Sequence, residues 1–301
     1  MIKLKQVQQF LIYQASPEVE NIEAISKGEW SEAFSYSINE KHFVVRFNKS
    51  RENFDRDKRA CSFSSERLPV PEILDIGKAF DGFFAISEKI EGEFLDEIKG
   101  QRRMKKILPS IFDVFDAMRE IDISTTKGFG TWGADGNAKL SSWQEFLSKI
   151  KNETEYEWRK KLGESKFGIN FFDTSFKKME SLFDKLPSIR HVVHSDLLYF
   201  NVFVKEDKIS GVIDWGNSFY GDFLYDIAWF SFWAFWHEGL RSFDFRELAR
   251  EHFEKLRIEV LNFDERMDCY EIHIGLDSLA YISGKERWDQ VEDVVKRMEE
   301  I

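Results

Sequence analysis

Cysteine is scarce: Cys61 and Cys269 are the two thiols in 301 residues, and neither lies in a CxxC or Cys/His pattern. That usage points to reduced thiols in a cytoplasmic protein rather than a disulfide framework. A long hydrophobic run is also missing. The most apolar stretch, IAWFSFWAFW at 227–236, is about half the length needed to span a bilayer. It follows Asp226 and precedes His237 and Glu238, so a buried helix is expected and no membrane partner. The N-terminal MIKLKQVQQFLIYQAS is charged and polar, unlike a secretory signal. An excess of basic residues is absent too. Lys and Arg number 43 against 54 Asp and Glu, for a net charge of −11. This argues against nucleic acid, whose phosphates are held by clustered Lys and Arg. It is compatible with a cationic small-molecule partner drawn to an acidic cleft, and equally with plain solubility.

What is abundant is aromatic: 30 Phe and 9 Trp in a chain that is 43% apolar. Large aromatic-lined interiors or pockets are expected. Residues 2–13 read as a short amphipathic helix. Residues 22–48 read as strands, with AFSYSI and HFVVRF flanking a turn at NEK. A charged helix is expected over 51–67, ended by Pro69 and Pro71. EILDIG and FFAISEKI supply two more strands around a DG turn. After EGE at 91–93 the character changes. Helices are expected at 104–122, 142–161 and 171–186, with a Gly-rich loop at 125–137. A strand, loop and hairpin follow at 191–214, and 223–301 reads as wholly helical. Strands followed by helices predict an α+β fold in two lobes, divided into 1–90 and 91–301.

The chemistry concentrates in HVVHSDLLYFNVFVKEDKISGVIDWGNSFYGD, residues 191–222. His194, Asp196 and Asn201 have the H-x-D-x-x-x-x-N spacing of a phosphoryl-transfer catalytic loop, and Asp214-Trp215-Gly216 resembles the D-F-G element that follows it. Each residue type suits that reaction. A carboxylate at Asp196 can orient an attacking hydroxyl and take its proton. Magnesium needs hard oxygen ligands, which Asn201 and Asp214 offer from the open end of one hairpin. His194 reads as a hydrogen-bonding brace for the loop. The plainer alternative is that Asp196 and Asp214 cap turns.

The first lobe then has to supply a cation for the nucleotide phosphates. HFVVRF offers Arg46 where a kinase carries Lys, and Arg can grip phosphate with two N–H groups. An ordinary edge-strand Arg is the other reading. Its acidic partner comes from the next helix, with Asp57 ahead of Asp55 and Glu52. The phosphate-covering turn is GEWSEAFS at 28–35, which has a single Gly and leaves Ser31 and backbone N–H groups to hold the phosphates.

On GEWSEAFSYSI, FVVRFN, LPVPEILDIG, TKGFGTWG, HVVHSDLLYFNVFV, VIDWGNSFYGDFLYDIAWFSFW and IGLDSL, the chain resembles the aminoglycoside phosphotransferases, and among them the hygromycin B phosphotransferases. The resemblance runs from about Ile25 to about Ile282. It implies a protein-kinase-like fold and Mg2+-dependent transfer of the γ-phosphate of ATP or GTP to a sugar or cyclitol hydroxyl. It implies that Asp196 is the base, Asn201 and Asp214 hold the metal, and Arg46 meets the phosphates. The Glu88 carbonyl and Ile90 N–H would meet adenine, and Asp222 and Asp226 would support the loop and the helix after it.

Acceptor residues come from the chemistry of a polycation, which favours carboxylates with aromatic walls. Trp236, Glu238 and Asp277 are the candidates, while Trp229, Phe230 and Trp233 read as core. Two other functions stay open. One is a metabolic kinase for choline, a sugar or an amino-alcohol. The other is a non-catalytic nucleotide-binding protein. A protein kinase is disfavoured because no A-P-E element follows D-W-G.

Overall fold

The computed structural model describes residues 2–27, 31–152, 157–198 and 200–301. Five antiparallel strands come first: β1 (Glu20–Lys27), β2 (Glu32–Ile38), β3 (Lys41–Asn48), β4 (Ile73–Ala79) and β5 (Gly82–Glu88). They form one sheet in the order β1-β2-β3-β5-β4. The β2–β3 turn closes on Asn39 and Glu40, both at positive φ, as a two-residue hairpin loop matched to strand twist requires. Helix α1 (Leu4–Gln14) buries Val7 and Leu11 against Phe34, Val45, Phe47 and Phe84 on one face of the sheet. Helix α2 (Arg51–Ala60) buries Phe54 with Ile73 and Ala85.

The helix expected over 51–67 stops at Ala60 and a 3-10 turn, Cys61–Phe63. Ser64 ends it well before the prolines. Its hydroxyl bonds the Val70 carbonyl and accepts the Val70 N–H, both at 3.1 Å. A short polar side chain here competes with the helix for backbone groups.

The second part is built on α3 (Gln101–Glu120), whose apolar stripe of Ile107, Leu108, Ile111, Phe112, Phe115 and Met118 is buried. Before it, β6 (Glu93–Phe94) adds a third strand to the hairpin of β10 (Val202–Lys205) and β11 (Lys208–Val212). An isolated two-stranded hairpin is marginal in water, so the third strand matters. The hairpin turn puts Glu206 and Asp207 at positive φ, and Asp207 is tied to Arg103 and Lys106 of α3.

The Gly-rich loop contains β7 (Phe129–Trp132). With β8 (Ala138–Leu140), β9 (His191–Val193) and β12 (Phe219–Gly221) it forms a sheet of order β8-β7-β12-β9. The helix expected over 142–161 is two pieces, α4 (Trp143–Ser148) and α5 (Trp158–Glu164), and α6 (Asn170–Glu180) follows. The last part is helical but interrupted at 237–244, 257–262 and 285–287: α7 (Leu224–Trp233), α8 (Phe245–Leu256), α9 (Phe263–Gly284) and α10 (Trp288–Glu299). Helix α9 is buried along most of its length, packed by α5, α6, α7 and α10. The apolar run 227–236 lies in α7 and the turn after it, and no helix among the described residues is long and apolar enough to cross a membrane.

Candidate active site

The loop between β9 and β10 carries the site, and its backbone is held from below. Asp226, in the first turn of α7, accepts the His194 N–H at 2.9 Å and the Ser195 N–H at 2.7 Å. Burial pushes the Asp226 carboxyl up to about 7, and these two N–H donors pull it back toward the anion. His194 is fully buried. Its Nε2–H donates to the Ile213 carbonyl at 2.9 Å and its Nδ1 accepts the Asp196 N–H at 3.2 Å. Burial pushes this imidazole down to about 4, in keeping with a neutral ring used as a two-sided brace.

The brace sets Asp196 half-buried at the head of the loop. Burial first, and the charge of Asp214 second, hold its carboxyl well above the ordinary carboxylate range. Asn201 closes the loop by donating its side-chain N–H to the Asp196 carbonyl at 2.8 Å, which leaves its amide oxygen for another partner. The Ile213 N–H donates to the Asn201 carbonyl at 2.9 Å, so the hairpin brings Asn201 and Asp214 to the same open end. Asp214 is exposed, with φ 62° and ψ 64°. A non-glycine residue in the left-handed region persists where its surroundings fix it, and such residues gather at functional sites. One amide oxygen and one carboxylate on a rigid hairpin suit Mg2+, which takes few protein ligands and completes its shell with water and phosphate oxygens.

Arg46 lies in β3, paired with Ala33 on one side and Ala85 on the other, so it is a central-strand residue and not an edge one. Its guanidinium pairs with Asp57 of α2 and lies 5.4 Å from the Phe54 ring. Burial works against its charge, but Asp57 and then Asp214 hold it above the ordinary arginine value. The other oxygen of Asp57 accepts the Trp215 N–H at 2.8 Å. Asp57, not Asp55 or Glu52, is therefore the partner of Arg46: Asp55 and Glu52 pair with Arg51 and Arg56 on the same helix.

The linker crosses beside the hairpin. Glu88 ends β5 and is exposed, and Ile90 lies directly over Gly211 of β11. A Cβ on Gly211 would come within 2.3 Å of Ile90, so only glycine admits this contact. Ser31 is half-buried just before β2, whereas Gly28, Glu29 and Trp30 of the expected phosphate-covering turn lie outside the described residues.

Asp222 sits apart from the loop. It is fully buried, pairs with Arg266 through two bonds of 2.8 and 2.7 Å, and accepts the Tyr270 hydroxyl. It ties the start of α7 to α9, while Asp226 alone of the two holds the loop. Among the acceptor candidates, Trp236 is 36% exposed and Glu238 is exposed, on the turn after α7. Phe230 is core, and Trp229 and Trp233 are partly buried in line with Trp236. Asp277 of α9 has an exposed side chain, and the protein packed around it pushes its carboxyl up to about 6.

Two neighbours of the site carry no signal in the sequence. Arg56 of α2 donates to the Gly216 carbonyl at 2.7 Å and to the Trp132 carbonyl at 2.9 Å, fastening the first sheet's helix to the second part. Asp96 accepts the Phe200 N–H at 2.9 Å, and its other oxygen is buried with no hydrogen-bond donor among the described residues. Neither residue falls in a spaced motif.

The comparisons with known proteins agree with this geometry. The Hygromycin-B 4-O-kinase of Escherichia coli is 29% identical over 282 residues, covering 91% of this chain and 77% of that protein. The crystal structure of aminoglycoside phosphotransferase APH(4)-Ia superposes with a TM-score of 0.87 at 27% identity, covering 99% of this chain and 97% of that one. A thermostable mutant of it, in ternary complex with AMP-PNP and hygromycin B, gives 0.86 at 27% identity over 98% and 97% of the chains. Three ternary complexes of it, with AMP-PNP or ADP and hygromycin B, carry alanine at an aspartate or at asparagines four and five residues after it. Here the same intervals from Asp196 lead to Phe200 and Asn201. The fold is the two-lobed kinase-like α+β fold. Residues 21–259 match the family model described as the phosphotransferase enzyme family. The chain belongs to that family.

Proposed function

We propose that this enzyme moves the γ-phosphate of ATP or GTP to a hydroxyl of an aminoglycoside, hygromycin B or a near analogue, and so protects a cytoplasm from the drug. The observation that carries the reading is the meeting of Asp196, Asn201 and Asp214 at one hairpin mouth, in a chain similar over most of its length to a Hygromycin-B 4-O-kinase. Residues 1–90 serve as the nucleotide lobe and 91–301 as the helical lobe with the acceptor. Arg46, kept in place by Asp57, meets the phosphates, with Ser31 beside them, and the Glu88 carbonyl and Ile90 N–H meet adenine. Asp196 orients the acceptor hydroxyl and takes its proton as the oxygen attacks phosphorus. The new O–P bond forms, the bond to the β–γ bridging oxygen breaks, and the nucleoside diphosphate leaves. Asn201 and Asp214 would hold Mg2+, which when bound offsets phosphate charge. His194, Asp222 and Asp226 support the loop and helix. Trp236, Glu238 and Asp277 line the approach for a cationic acceptor.

The test is a coupled nucleotide-consumption assay over an aminoglycoside panel. Turnover is expected with hygromycin B or an analogue, falling about 10²–10⁴-fold in Asp196→Asn with the fold intact. No drug-dependent turnover anywhere in the panel overturns the reading.

A further inference from the structure

Phe200 is an anomaly within the catalytic loop. It directly precedes Asn201, yet it is 53% exposed, so burial does not account for its ring. Its φ is +70°, where a bulky aromatic residue is a genuine outlier. The surroundings over-determine that conformation: the Asp96 carboxylate accepts its N–H at 2.9 Å, and its ring stands edge-on to Phe94 at 5.2 Å. Phe94 in turn packs on Phe203 at 4.5 Å and is fixed opposite it by strand pairing. A strained, exposed and doubly braced side chain next to reacting groups is better explained by a ligand than by packing. The Asp96 carboxylate that holds the Phe200 backbone is also close enough to Asp196 for its charge to act there. An exposed aromatic face on a loop that also carries carboxylates suits the carbon face of a sugar ring and an ammonium group. The relative solved with hygromycin B naturally has an asparagine at this interval, replaced by alanine in one of its complexes, whereas this chain has a ring.

We propose that Phe200 is an acceptor-specificity residue, its ring forming a stacking wall for the sugar or cyclitol ring presented to Asp196. The inference rests on the phosphotransferase reading above and refines it. This chain selects its acceptor partly by stacking, where the relative offers a hydrogen-bonding side chain.

The experiment uses the full chain and three variants, Phe200→Tyr, Phe200→Leu and Phe200→Asn, with the acceptor turned over best by wild type. Phe200→Leu is expected to raise acceptor KM about tenfold, the loss typical of one good ring contact. Its kcat and nucleotide KM should stay within about threefold, the pattern of lost acceptor binding. Phe200→Tyr keeps the ring and should keep the acceptor KM. Phe200→Asn should change the ranking of acceptors in the panel. An unchanged acceptor KM in Phe200→Leu, a rise in nucleotide KM instead, or a fall in melting temperature that leaves Phe200→Leu unfolded at assay temperature overturns the inference while the enzyme reading stands. Failure of wild type to phosphorylate any acceptor overturns both.

Discussion

Asp57 takes the Trp215 N–H on one carboxylate oxygen, at 2.8 Å, while its other oxygen holds Arg46. One side chain of α2 thus fixes both the Arg46 guanidinium and the backbone beside Asp214. Asp57→Asn keeps an acceptor for the Trp215 N–H but leaves Arg46 without its nearest counter-charge. Breaking one partner of such a pair is expected to remove about 3 kcal/mol of stability. Urea denaturation measures that loss, and nucleotide KM should rise in parallel. A variant as stable as wild type would show that the pair contributes little.

His194 makes stability depend on acid. Its imidazole, ordinarily at 6.5, is pushed down to about 4 by burial. A depressed histidine contributes fully above about 6.5, and the contribution is lost as pH falls toward 4, about 3 kcal/mol across that interval. Wild type should therefore lose more stability than His194→Gln between pH 7 and pH 4. Denaturation curves at matched pH values measure the difference, and parallel losses in the two proteins contradict the assignment.

Asp222 and Asp226 should separate cleanly in experiment. Asp222 is paired with Arg266 away from the catalytic loop, so Asp222→Asn is expected to cost about 3–5 kcal/mol of stability. The folded fraction of Asp222→Asn should keep its kcat at low temperature. Asp226→Ala removes the acceptor for both the His194 and Ser195 N–H groups and should lower kcat even where the protein is folded. Equal effects on kcat from the two changes would show that Asp222 also sets the loop.

Gly211 leaves room for the linker. In Gly211→Ala the new methyl would come within 2.3 Å of Ile90 and push it from the hairpin. Overpacking of this kind typically costs about 1–3 kcal/mol of stability, and displacement of the linker is expected to raise nucleotide KM as well. Trimming the obstacle in the double variant Gly211→Ala, Ile90→Ala should restore part of the loss. A rise in acceptor KM alone would place Ile90 elsewhere in the reaction.

The residues legible in the sequence are those whose partners lie at short, fixed intervals. Asp196, Asn201 and Asp214 sit on one loop and one hairpin, so spacing alone brings them together. Arg46 and Asp57 are legible because a strand and the helix after it have few ways to pack. Asp96 and Arg56 are not, since each reaches a backbone group of a distant segment, Phe200 N–H in one case and the Gly216 and Trp132 carbonyls in the other. Backbone groups are the same at every position and leave no trace in residue order. The helix expected over 51–67 stops short for a related reason: Ser64 closes onto Val70, a local bond that apolar periodicity does not register.

Arg46 has a practical corollary. Reactive nucleotide analogues that acylate the strand amine of kinases depend on a nucleophilic lysine. A guanidinium remains protonated at every physiological pH and is a poor nucleophile. Profiling reagents of that kind should pass over this enzyme in a cell lysate, whereas a reversible nucleotide competitor should still find it. The same substitution makes Arg46→Lys a route to covalent labelling, placing a reactive amine beside Asp57.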